Sequence, residues 1–124
     1  MASVLISDVL AMSVQSHLWH WQTKTYAAHE AFGEFYETLT ETVDEIAEGF
    51  MGADIQFGNV KVAAEGDTFQ MTAVIEELKR FKAAMADAET KLMSDENKLF
   101  HGVGDKVLEI VQATDKLLYL LTLK

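Results

Sequence analysis

Apolar residues recur along this chain at helical intervals of three and four, and the recurrence is broken three times, which predicts four helices. Over residues 2–23, Val4, Leu5, Ile6, Val9, Leu10, Met12, Val14, Leu18, Trp19 and Trp21 cover most of a helix's circumference. A helix that apolar needs neighbours on more than one side. Ser3 or Ser7 is the expected opening residue, and a short break at 23–25 closes it. Over residues 26–51 the division is cleaner. At about 100° per residue, Phe32, Phe35, Leu39, Val43, Ile46 and Phe50 fall on one stripe. Glu30, Glu34, Glu37, Glu41, Asp44 and Glu48 fall on the opposite one, with His29 between the two.

Residues 53–67 have no helical period and contain several turn-forming residues, so they read as a crossing loop. A third helix is expected over 68–93, with Asp67 or Thr68 as its N-cap and Met71, Val74, Ile75, Leu78, Phe81, Met85, Ala88 and Leu92 as its apolar stripe. Ser94 or Asp95 is placed to cap a fourth, which carries Leu99, Phe100, Val103, Val107, Leu108, Ile110, Val111, Leu117, Leu118 and Leu121. The Gly102/Gly104 pair reads as a kink near its start, and the absence of proline permits helices of this length. Four such stripes bury themselves best as one all-α four-helix bundle, a single domain spanning residues 1–124 with the crossing loop between its second and third helices.

Composition narrows the chemistry. A chain of 124 residues and 13.8 kDa can bury a core without disulfides or a structural metal, and without cysteine it has neither a disulfide nor a thiolate metal site. Ten basic against twenty acidic residues give a net charge of −10, which disfavours nucleic acid and anionic membranes as partners. The first fifteen residues lack the Lys or Arg of a secretory signal and carry Asp8 inside their apolar run, so a cytoplasmic protein with no membrane span is expected.

The residues that speak about chemistry lie between His17 and Glu48. His17 and His20 are one turn apart, and His29 follows a tight connection, so the three are expected to converge where the first two helices join. The plain reading of the acidic stripe is a solvated face, and that of a single histidine is a hydrogen-bonded packing group. Three histidines beside a row of carboxylates also suit a mixed nitrogen and oxygen site for Fe, Mn or Zn. The core-facing stripe of the second helix holds no carboxylate, which argues against a di-iron centre inside the bundle.

The run His20-Trp21, then His29-Glu30-Ala31-Phe32, Tyr36 and Val43-Asp44-Glu45-Ile46-Ala47-Glu48 resembles a segment of the Dps family of mini-ferritins. The resemblance is strong over about a quarter of the chain and implies a ferritin-like bundle. It also implies an iron site shared between subunits, in which two histidines of one copy meet an Asp and a Glu of a two-fold-related copy and Fe(II) is oxidised by peroxide or oxygen. Carried over by position, the metal ligands are His20, His29, Asp44 and Glu48. His17, Glu34 and Glu37 are further candidates, and the assembly is a homo-oligomer, a dimer or a larger shell. Three features depart from the family pattern. Gly33 stands where the family has an acid, the loop between the histidines is about three residues shorter, and there is no lysine-rich tail. His17, His20, Gln22, Thr23 and His29 are also similar to a group of small tailed-phage proteins of unassigned role. The competing reading is a noncatalytic helical assembly or interaction protein of the same fold that has lost the metal site. Trp19 and Trp21 are expected to serve packing or subunit contact, and His101 a capping or surface role.

Overall fold

A computed structural model describes residues 1–123 as four helices: α1 (Ala2–Gln22), α2 (Tyr26–Gly52), α3 (Met71–Met93) and α4 (Lys98–Leu120). Short turns join α1 to α2 and α3 to α4, which makes each pair an antiparallel hairpin, and residues 53–70 cross between the hairpins. The close seams are α1 with α2, α2 with α4 and α3 with α4; α1 and α3 form the most open of the four neighbouring seams. One long crossover between two hairpins is the ferritin-like connectivity.

The predicted stripe of α2 forms the centre of the bundle: Phe32, Phe35, Leu39, Val43, Ile46 and Phe50 are all buried. They pack with Val9 of α1, Leu78 and Met85 of α3, and Val107 and Ile110 of α4. At about 1.5–3 kcal/mol for each fully buried large side chain, this arc is the main source of cohesion. Among the described residues, no helix is long and apolar enough to cross a membrane.

The crossover is held to α1 by polar side chains that helical periodicity does not distinguish. The Lys61 amide donates to Ser7 Oγ at 3.2 Å. The buried Gln15 amide group clamps Glu65, donating to its carbonyl at 3.0 Å and accepting from its N–H at 2.9 Å. Gln22 then donates to the Gly66 carbonyl at 2.8 Å. Loop numbers rise with α1 numbers, so the crossover runs alongside α1 and parallel to it. These bonds pin an exposed, irregular segment along α1.

Several helix ends differ from expectation for identifiable reasons. Neither Ser3 nor Ser7 caps α1, which begins at Ala2 with Met1 as its N-cap; Ser7 is spent on the crossover. The third helix starts at Met71, three residues later than expected, because the crossover continues to Gln70 and packs Phe69 edge-on against Phe32 at 5.7 Å between ring centroids. Asn97 caps α4 by accepting from the Leu99 amide at 3.0 Å. Ser94 instead bonds back to the Thr90 carbonyl, and Asp95 accepts from the Asn97 amide. The Gly102/Gly104 pair produces no break in α4. Gly104 is where Met93 packs closest, since a Cβ there would stand 2.7 Å from Met93 Sδ.

Gly49 plays the same role between α2 and α4. A Cβ at that position would meet Val103 Cγ2 at 2.7 Å, whereas one at Gly52 would meet nothing within 4 Å. The branched valine cannot swing aside as a methionine can. Gly49→Ala should therefore lose about 1–2 kcal/mol of stability despite its gain in helix propensity, and Gly52→Ala should be neutral or slightly stabilising, as read by urea unfolding. In the open α1/α3 seam, burial raises the Asp8 carboxyl above its ordinary value. The ionised form is thus the disfavoured one in the folded chain, and stability falls as pH rises through the Asp8 titration. Asp8→Asn should be more stable than wild type at pH 7 and should lose that advantage near pH 3, on the same unfolding assay.

Candidate metal-binding site at the junction of α1 and α2

The turn between α1 and α2 brings His17, His20 and His29 together, as their spacing predicts. Thr23, extended at φ −64° and ψ 153°, ends α1, and the Thr25 hydroxyl caps α2 by accepting from the Ala28 amide at 3.2 Å. The rings of His20 and His29 then stack at 3.7 Å between centroids, 20° from parallel. Each ring bonds to the other residue's backbone. His20 Nδ1–H donates to the His29 carbonyl at 2.6 Å, and His29 Nδ1–H donates to the His20 carbonyl at 2.9 Å. The second of these carbonyls lies in the last turn of α1, where no intrahelical partner is available, so His29 also caps that helix together with the Thr23 hydroxyl at 3.2 Å.

A carbonyl oxygen can only accept, so both Nδ1 atoms carry the proton and the neutral rings keep their lone pairs on Nε2. This is the usual preparation of a metal-ligating histidine, whose second nitrogen is tied to a carbonyl or carboxylate and whose tautomer and ring plane are thereby fixed. Because the ring planes are nearly parallel and 3.7 Å apart, the two Nε2 lone pairs lie in separate planes, and each ring offers its nitrogen singly.

Gly33 makes the pairing possible. A Cβ at that position would lie 3.1 Å from His20 Cε1 and 3.3 Å from His20 Nδ1, tighter than ordinary contact. The missing side chain at the place where a carboxylate was expected therefore leaves room for the His20 ring to lie flat against α2.

Around the pair, His17 stacks on Tyr36 at 3.9 Å and 12°, and touches Trp21 at 4.2 Å; Tyr36 in turn meets His20 edge-on at 5.3 Å. Trp19 is buried in the core against Phe32, whereas Trp21 is 66% exposed, so only the second is available for contact with another molecule. His101 lies apart and bonds to the Asp95 carbonyl at 2.8 Å, in keeping with a capping role.

The carboxylates divide by edge. On the edge facing α4, Glu34 is held by Lys116 at 2.6 Å and Glu45 by Lys106 at 2.7 Å. The Lys106 ammonium titrates above its ordinary value, chiefly through that hydrogen bond to Glu45. Glu34 is thus occupied by an ion pair with α4. Glu30, Glu34 and Glu37 line, with His20 and Tyr36, an open recess of about 500 Å³. Asp44 and Glu48 are exposed on α2, one turn apart, but fifteen residues of helix separate Asp44 from His29, about 22 Å at 1.5 Å per residue. They cannot join the histidines of their own chain. Among the described residues, no three His, Asp or Glu side chains gather closely enough within one chain to hold a metal ion.

Fold and junction together define an all-α four-helix bundle with one long crossover and a hydrogen-bonded imidazole pair beside an outward carboxylate row. A family model matches residues 20–121, and the chain belongs to that family, DUF5856, a family of unknown function. The match includes His20, His29, Asp44 and Glu48. No curated protein and no solved structure matches the chain.

The hydrogen-bonding scheme has a direct spectroscopic consequence. Nitrogen-15 NMR at neutral pH should find both His20 and His29 in the Nδ1–H form. Gly33→Ala should displace the His20 ring and remove that signature from His20 while leaving the helical content unchanged. If His20 keeps its tautomer in the variant, the close approach at Gly33 is not what seats the ring.

Proposed function

We propose that this chain is a divalent-metal protein, with iron as its metal, whose site is completed between two copies. His20 and His29 of one copy supply nitrogen and Asp44 and Glu48 of the other supply oxygen. The observation that carries this reading is the reciprocal pair of imidazole–carbonyl hydrogen bonds, which leaves two Nε2 donors fixed and unused at a helix junction. An imidazole nitrogen from one chain and an exposed pair of carboxylates a turn apart from another are complementary parts of a mixed site that suits Fe, Mn or Zn. Iron held there as Fe(II) supplies an electron to peroxide or oxygen, the ferroxidase chemistry that the Dps resemblance implies. The chain's own residues orient the donors, and the dry arc of α2 keeps the site out of the core.

The alternative is a noncatalytic assembly protein of the same fold. It is favoured by one specific observation: the place of the family's additional acid is taken up by packing between Gly33 and His20. Elemental analysis separates the two readings when the protein is purified without chelator or nickel and measured again after anaerobic addition of Fe(II). The metal reading expects one to two iron ions per subunit, falling at least tenfold in His29→Ala and in Asp44→Ala, with both variants retaining the helical circular-dichroism spectrum. An absence of iron in wild type, or unchanged iron in both variants, overturns it in favour of the assembly role.

A further inference from the structure

We infer that the outer face of α1 and α2 is a docking surface for a basic amphipathic helix of another protein. The inference is independent of the metal-site reading, which concerns two copies of this chain and a metal ion.

The face offers such a helix an apolar seam. Val14, Leu18 and Trp21 follow one another along the outside of α1 at intervals of four and three, and Val14 and Trp21 are 44% and 66% exposed. With His17 of α1 and Tyr36 and Thr40 of α2 they line an open groove of about 610 Å³. Alternating steps of three and four residues make the heptad that receives the apolar stripe of a neighbouring helix. This is also the second side of α1 that its apolar circumference requires to be covered.

Charge along one edge of the seam fixes what the incoming helix must carry. Glu30, Glu37 and Asp44 are exposed and stand seven residues apart on α2, hence on one edge of it at intervals of about 10 Å. Glu37 directly follows Tyr36 and Asp44 lies one turn beyond Thr40, so the row borders the groove. Neither α1 nor α2 contains a Lys or Arg to neutralise it. Among the described residues, the acids of α2 that form ion pairs are Glu34 and Glu45, on the edge facing α4. Carboxylates at heptad spacing beside an apolar seam occupy the positions at which paired helices exchange salt bridges and select their partners. The complement is a helix with an apolar stripe and a Lys or Arg at every seventh residue along one flank.

A second copy does not supply that flank. No helix of this chain carries two Lys or Arg residues seven apart. Lys82, Lys91, Lys106 and Lys116 are already paired within the chain. At a net charge of −10, a second copy is repelled where no metal bridges the two, whereas a basic helix is drawn in.

The test is fluorescence anisotropy of a labelled peptide of about three heptads, with Leu at the first and fourth positions of each and Lys at the fifth and seventh. It is titrated with the whole chain in EDTA, so that no metal contributes. Binding should saturate at one peptide per chain and shift the indole NMR signal of Trp21 but not that of Trp19. Glu30→Gln/Glu37→Gln/Asp44→Asn and Trp21→Ala should each bind about tenfold more weakly while keeping the helical spectrum. A peptide of the same composition in scrambled order should also bind at least about tenfold more weakly. Absence of binding overturns the inference. So does equal binding of the scrambled peptide or of Trp21→Ala, which reduces the effect to unspecific attraction between charges, and so does equal binding of the triple variant, which removes the basic flank from the partner. Wild type that self-associates in EDTA and excludes the peptide assigns the face to a second copy instead. Iron content in the separate analysis above decides the metal reading whichever of these results is found.

Discussion

The circumference of α2 is divided into an apolar arc and an acidic arc with nothing basic in either, and much of the molecule follows from that division. Six large apolar side chains on one arc fill the bundle, so every carboxylate of the helix must lie toward its edges or outward. Burying even one of them unpaired would cost several kcal/mol, more than any single core contact returns. Any cation that pairs with these carboxylates must come from another element. On one edge α4 provides them as Lys106 and Lys116. On the other edge the neighbour is α1, which has none.

The fold was largely legible because helical periodicity is a repeated signal. The α2 stripe alone fixes six core residues, and the absence of proline lets each period run to its natural length. Helix ends were less legible because they depend on which of several competent residues wins a local contest. Ser7 has the chemistry of an N-cap yet spends its hydroxyl on the crossover, and Asn97 caps where Ser94 and Asp95 were equally plausible. The start of α3 is decided by Phe69 finding Phe32, a contact between residues thirty-seven positions apart that no local pattern contains.

The histidine junction was legible in composition but not in geometry. Spacing predicts that His17, His20 and His29 converge, and they do, yet the stacking of two rings and their exchange of hydrogen bonds depends on how closely the helices approach. The signal for that approach was Gly33, which sequence comparison presents as a missing ligand. In the folded chain the same glycine is the space occupied by the His20 ring. A lost side chain and a gained contact look identical in one sequence; only the neighbouring backbone distinguishes them.

The two halves of the junction also explain why α1 is so apolar. One side of α1 closes the core, and its flank holds the crossover through Ser7, Gln15 and Gln22. Neither duty requires Val14, Leu18 and Trp21 to be apolar, since polar residues at these outward positions would spare the chain an exposed tryptophan. Their retention beside an uncompensated acidic edge sets an attractive surface against a repulsive one on the same face. Such a face is poorly suited to a permanent contact, which would discard the charge, and poorly suited to plain solvent, which would discard the tryptophan. It suits a contact whose sign is set by a third component, and this face carries the imidazoles of His17, His20 and His29 beside the carboxylates of α2.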